Sequence, residues 1–175
     1  VTGMIGWILH ALGRAPTVMN GAVMKNFARP DAPFASALVG AGDAFVSEVD
    51  ESDGSIALYS PRIAVLNNVS LDHKPLEELR ALFATFAAKA MTVVVNVGDA
   101  ESAALATALN RFECLTFAVE GDADLVALGL APEAFAIAFD LAFAGETRRV
   151  RLNVPGRHNV SNALAAIGAA MAAGN

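Results

Sequence analysis

Apolar positions along the chain fall in short runs whose spacing changes once, from helical and buried-strand patterns in the first two thirds to strict alternation beyond Gly121. Met4 to Leu12 reads as an apolar helix, closed by Gly13 and followed by Pro16, which are ordinary stop signals. Two apolar runs, Ala44-Phe45-Val46 and Ile63-Ala64-Val65-Leu66, lead into polar clusters, as expected of buried parallel strands whose carboxyl ends carry chemistry. Pro75 opens a helix to about Ala90, with Leu76, Leu79, Leu82, Phe83 and Phe86 on one face. A strand at 92–97, a helix at 101–109 and a strand at 115–119 continue the alternation, which is α/β order.

Beyond Gly121, Phe135, Ile137, Phe139, Leu141 and Phe143 alternate with small or polar residues, the signature of a strand covered on one face. Gly145 turns the chain, and the stretch 147–154 is expected to return as the hairpin partner, with Val150 and Leu152 inward and Arg149 and Arg151 outward. A final Ala-rich helix, 159–173, places Leu164 and Ile167 on the side that packs on a sheet. The expected fold is therefore α/β, a mostly parallel sheet flanked by helices with a smaller antiparallel hairpin region. No linker, repeat or low-complexity segment interrupts it, so residues 1–175 read as a single domain.

Composition narrows the function classes. At 55% hydrophobic and 17% charged residues the 175-residue chain is too apolar for disorder, yet its apolar runs are too interrupted to span a membrane. A formal charge of -6 provides no basic field to collect a polyanion, which argues against nucleic acid while leaving local nucleotide binding open. The single cysteine, Cys114, cannot form an internal disulfide and reads as a buried, inert thiol. Met4 to Leu12 lacks a basic leader and a cleavage pattern, so the cytoplasm is the expected compartment.

Three polar clusters carry candidate chemistry. In Ser47-Glu48-Val49-Asp50-Glu51-Ser52-Asp53, four carboxylates follow an apolar strand, suited to a hard divalent cation or simply to a solvated acidic loop. In Asn67-Asn68-Val69-Ser70-Leu71-Asp72-His73, a histidine follows another strand; two neighbouring strand ends would bring Glu48 and His73 together, and the alternative is a polar surface histidine. In Pro155-Gly156-Arg157-His158-Asn159-Val160-Ser161-Asn162, two asparagines three apart share a helical face and can meet both hydrogen-bonding edges of a base, although Asn159 also suits a helix cap.

Taken in order, these clusters resemble the Mur ligase family, nearest its alanine-adding branch and the branch that recycles murein tripeptide. Pro16-Thr17-Val18-Met19-Asn20-Gly21 also looks like the strand and loop that follow the family's phosphate-loop helix. The resemblance implies a P-loop NTPase-like central domain that binds ATP and Mg2+. It makes Glu48 and His73 catalytic metal ligands, and places Asn159, Asn162 and His158 at the nucleotide. It implies an amide bond formed through an acyl phosphate between a UDP-linked sugar acid and an amino acid or peptide. Flanking domains would complete the enzyme. Asn67-Asn68 stands where the alanine-adding branch has Thr-Asn, which leaves the acceptor and the added group open. No G-x-x-x-x-G-K-[ST] phosphate loop occurs in the chain, so this polypeptide alone is expected to be inactive; the alternatives are a degenerate, non-catalytic nucleotide-binding or scaffold domain, or a paralogue in the family with another acceptor.

Overall fold

The computed structural model describes residues 1–52, 54–69, 75–109 and 114–174. Contacts divide the chain, read from sequence as one domain, into two compact units, Val1–Val49 and Asp50–Asn175.

In the first unit, helix α1 (Thr2–Ala11) precedes strands β1 (Thr17–Met19), β2 (Ala37–Leu38) and β3 (Phe45–Ser47). The strands lie in the order β2-β1-β3, with β1 antiparallel to β2 and parallel to β3. Ile5 and Leu9 of α1 are buried with Val18 of β1. The helix can sit this close because Gly6 has no side chain: a Cβ there would stand 2.7 Å from Val18 Cγ2. Gly13, at φ 75°, then turns the chain out of the helix, where the sequence places the stop.

The second unit alternates β4 (Ile63–Leu66), α2 (Leu76–Ala88), β5 (Thr92–Asn96), α3 (Ala100–Leu109) and β6 (Cys114–Val119). It continues through β7 (Leu125–Pro132), β8 (Ile137–Phe143) and β9 (Glu146–Leu152) to α4 (Arg157–Ala172). All six strands form one sheet in chain order; β4 through β7 are parallel, while β8 and β9 are antiparallel to their neighbours. The mostly parallel α/β sheet with a hairpin region is thus the observed fold.

β7 has no counterpart in the sequence reading. Gly129 and Pro132 interrupt its apolar pattern, and the structure accommodates them by a register shift between Leu128 and Ala131, with Gly129 at φ 56°. Phe135 corrects a second expectation. It is 85% exposed and outside the strand, which begins at Ile137; Ala136 and Ala138 are buried as well as Ile137 and Phe139, so the first half of the strand is covered on both faces and not on one. The hairpin itself forms as expected, through Ala144 and Gly145 at φ 50° and 82°, the left-handed pair a two-residue turn demands.

The link between parallel β6 and β7 is only five residues, 120–124, far shorter than the usual crossover. Thr116 and Asp124 hold it closed. The Thr116 N–H and hydroxyl donate to Asp124 Oδ2 at 2.8 and 2.7 Å, and the Asp124 N–H donates back to Thr116 Oγ1 at 2.9 Å. Glu120 begins the reversal at φ 56°, with its N–H donating to the Ala127 carbonyl.

Helix α4 covers the parallel strands. Val160, Ala163, Leu164, Ala165, Ala166, Ala169 and Ala170 are buried, and at Gly168 a Cβ would lie 2.7 Å from Val94 Cγ1 and 3.3 Å from Leu115 Cδ2. Small residues set the spacing between helix and sheet. Gly168→Val is expected to destabilise the fold by roughly 1–3 kcal/mol through overpacking, read as a lower midpoint in urea; an unchanged midpoint would contradict the close approach.

Candidate functional site

The carboxyl ends of β4, β5 and β6 and the amino end of α4 enclose a cleft of about 390 Å³. This is where open α/β sheets place ligands, and the volume falls within the roughly 300–1,000 Å³ range of small-molecule sites. Asn67 and Asn68 enter from β4, Asn96 and Gly98 from β5, Val119 from β6, and Arg157, His158, Ser161 and Asn162 from α4.

Amides tie the strand ends to the helix. Asn96 Nδ2 donates to the Asn67 carbonyl oxygen at 2.8 Å, and the Gly98 N–H donates to Asn96 Oδ1 at 3.0 Å. Asn67 Nδ2 in turn donates to Asn162 Oδ1 at 3.0 Å, and the Ser161 hydroxyl donates to Asn67 Oδ1 at 3.2 Å. Below this layer, Asp99 starts α3: its Oδ1 accepts the Ser102 N–H at 2.9 Å and hydroxyl at 2.7 Å, and also the Val69 N–H at 3.3 Å. One carboxylate therefore caps a helix and fixes the backbone that follows Asn68.

The amino end of α4 is shaped by Gly156, at φ 98°. A Cβ there would meet the His158 ring at 2.7 Å, so both the dihedral and the ring require glycine. Arg157 is held by the Glu120 carboxylate and donates to the Val119 carbonyl at 2.8 Å. The tight link after β6 thus anchors the start of the helix that closes the cleft.

Of the sequence-derived candidates, Asn162 and His158 line the cleft. Asn159 does not: its Nδ2 donates to the Pro155 carbonyl at 2.7 Å, bracing the first turn of α4. Glu48 belongs to the first unit, just past β3, is exposed, and accepts the Gly21 N–H at 2.8 Å. His73 lies outside the described residues, and β3 and β4 belong to different units. Among the described residues no group of three or more His, Cys, Asp or Glu side chains could hold a metal by itself. Nearby in sequence, Asp50 Oδ1 accepts the Ser52 N–H at 2.7 Å, a local turn within the acidic cluster. Asn96 and Gly98 went unread in the sequence, and Ser161 stood in the third cluster without a role; a polar residue ending the buried run Val93-Val94-Val95 is the signal that marks the first of them.

Outside the cleft, ion pairing and burial act on individual groups. Arg80 of α2 makes two bonds to Glu101 of α3, at 2.7 and 2.8 Å, and its guanidinium holds the Glu101 carboxyl below the usual carboxylate range. Cys114 is half-buried at the start of β6, and burial, aided by the Asp124 charge, pushes its thiol up.

Against known proteins, the Mur ligase middle domain family model matches residues 2–170, and the chain belongs to that family. It is 36% identical over 169 residues to UDP-N-acetylmuramate–L-alanine ligase of Clavibacter michiganensis, covering 94% of this chain and 34% of that protein. The enzyme of the same name from Chlorobium chlorochromatii is 38% identical over 173 residues, covering 94% of this chain and 36% of its own. The chain therefore spans about a third of the length of these curated relatives. Among solved structures, the UDP-N-acetylmuramate-alanine ligase of Thermotoga maritima superposes with a TM-score of 0.81 at 26% identity, over 99% of this chain and 39% of that one. A murein peptide ligase from Psychrobacter arcticus shares the fold, with a TM-score of 0.75 at 23% identity over 97% of this chain and 40% of its own.

Two measurements bear on the site. Asn96→Ala leaves the Asn67 carbonyl and the Gly98 N–H without their partner and is expected to cost about 1–3 kcal/mol, visible in the urea midpoint; a wild-type midpoint would show that the amide holds nothing. Folded Cys114 is expected to alkylate more slowly at pH 8 than the same residue in urea, because a raised thiol carries less thiolate there. Equal rates would contradict its half-buried placement.

Proposed function

We propose that the cleft holds the adenine end of ATP, and that the chain is the ATP-binding part of a ligase that joins a UDP-linked muramyl carboxylate to an amino acid or peptide. The observation that carries this reading is the layer of asparagine amides at the carboxyl edge of a parallel sheet, beside the amino end of a sixteen-residue helix, in a Mur ligase middle domain. An amide can meet a base either as donor or as acceptor.

Magnesium is the cation we propose for Glu48. Proteins hold this ion with one or two carboxylates plus substrate phosphates, so Glu48, an exposed carboxylate oriented by the Gly21 N–H, needs few companions. His73 is the companion we assign. Bound there, the cation would neutralise phosphoryl oxygens. The reaction passes the γ-phosphoryl group of ATP to the acceptor carboxylate; the incoming amine then attacks the acyl phosphate, and inorganic phosphate leaves as the amide forms. Asn162 and His158 bind and orient the nucleotide, with Asn159 bracing the helix that carries them. Because the chain spans about a third of its curated relatives, flanking domains are proposed to hold the sugar nucleotide and to close over ATP. A cytoplasmic setting suits these substrates, and among the described residues no helix is long and apolar enough to cross a membrane.

ADP is expected to raise the thermal midpoint of this chain; an unchanged midpoint at millimolar ADP would favour a scaffold over a nucleotide-binding domain. In the enzyme with its flanking domains, Glu48→Ala and His73→Ala are each expected to abolish ATP-driven phosphate release with the fold intact, by far-UV dichroism. Turnover retained in either variant would remove that residue from the metal site.

A further inference from the structure

The hydrogen bonds across the cleft run in one direction, and at the Asn96 end that direction is fixed by two backbone groups. Asn96 Oδ1 accepts from the Gly98 N–H at 3.0 Å, while Asn96 Nδ2 donates to the Asn67 carbonyl at 2.8 Å. A main-chain N–H cannot accept and a main-chain carbonyl cannot donate, so the Asn96 amide has only one orientation that satisfies both. Its second Nδ2 hydrogen points to Ser161 Oγ, at 3.4 Å. The Ser161 hydroxyl can accept there and still give its one hydrogen to Asn67 Oδ1, at 3.2 Å. Asn67 Oδ1 is then the accepting end, and Asn67 Nδ2 donates to Asn162 Oδ1 at 3.0 Å.

We infer that Asn67 is a positioning residue that sets the polarity of the cleft: by occupying the Asn162 carbonyl oxygen, it leaves the Asn162 NH2 to face the ligand. Among the described residues Asn162 Nδ2 has no hydrogen-bond partner, although the side chain lines the cleft. A ligand must therefore bring a hydrogen-bond acceptor to this edge. For a purine that means a ring nitrogen and not the exocyclic amine. The inference rests on the adenine reading for the identity of the ligand, but the relay is a property of the chain itself.

The decisive variant is Asn67→Asp, which keeps the shape of the side chain and removes its only donor. The new carboxylate can still accept from Ser161, but it can meet Asn162 only by accepting as well. Asn162 then turns its NH2 toward residue 67 and presents its carbonyl to the ligand. Titration of the whole chain with ADP and with 1-deaza-, 3-deaza- and 7-deaza-ADP reads the change. For the wild type, the analogue lacking the nitrogen opposite Asn162 is expected to bind about tenfold more weakly than ADP, the worth of one hydrogen bond of ~1.4 kcal/mol. In Asn67→Asp that ratio is expected to fall to nearly one, even if the added charge weakens every nucleotide alike.

Equal binding of all four ligands by the wild type, or an unchanged ratio in the variant, would overturn the inference. Failure of the wild type to bind ADP at all would instead overturn the adenine reading. The relay is then still decided on the ligand-free wild type by nuclear magnetic resonance, which also serves if the variant does not fold. A through-bond correlation from Asn67 Nδ2 to Asn162 Cγ supports it, and one from Asn162 Nδ2 to Asn67 Cγ refutes it.

Discussion

The close seat of α4 on the parallel strands is the constraint from which the second unit is organised. Gly168 lies against Val94 and Leu115, and the buried alanines on either side keep the helix near the sheet along its length. A bulkier helix would stand further off, and its first turn would no longer reach the strand ends. Seated as it is, α4 delivers Ser161 and Asn162 to hydrogen-bonding distance of Asn67 and Asn96. Packing of apolar surface thus sets the geometry of a polar site, since well-packed interiors leave little room for a helix to drift.

Polar residues at the cleft do two kinds of work. Asn96, Asp99, Gly156 and the Arg157–Glu120 pair hold backbone and helix ends in place. Asn162 and His158 remain at the surface of the cleft, where a ligand can meet them. The division matters because a buried amide with both ends satisfied is a rigid support, whereas one with an end left over is a recognition element. Asn159 shows how narrow the difference is, since its spacing from Asn162 suits a shared face while its bond to the Pro155 carbonyl assigns it to the helix start.

Periodicity made most of the fold legible. The helices of the second unit and strands β4, β5 and β6 lie within a residue or two of where apolar spacing places them. What escaped was structure whose cause is local and aperiodic. β7 carries a glycine and a proline that read as breakers, yet a register shift absorbs the first and the strand ends on the second. Phe135 continues an alternating pattern on paper, but the strand starts after it. α4 begins at Arg157, two residues ahead of the expected start, which draws Asn159 into its first turn. The first two polar clusters were visible because they end apolar runs, and the third because it opens a helix. Asn96 was not, because one amide after Val93-Val94-Val95 is a far weaker signal than a cluster, and Ser161, although inside the third cluster, gains its role only when the chain folds. His73 falls outside the described residues, so its pairing with Glu48 stays a proposal.

One edge of the six-stranded sheet is β9, and its exposed residues include Arg148, Arg149 and Arg151. All three reach acidic neighbours, Arg148 pairing with Glu146, Arg149 with Asp140 and Arg151 with Glu133, so the cationic row is tied down and does not wave freely in solvent. An open strand edge is a template on which a second chain could add itself, and covering these hydrated ion pairs with an added strand would cost their contact with water. The same row that reads as ordinary surface decoration therefore makes edge-to-edge pairing less favourable at this border of the sheet.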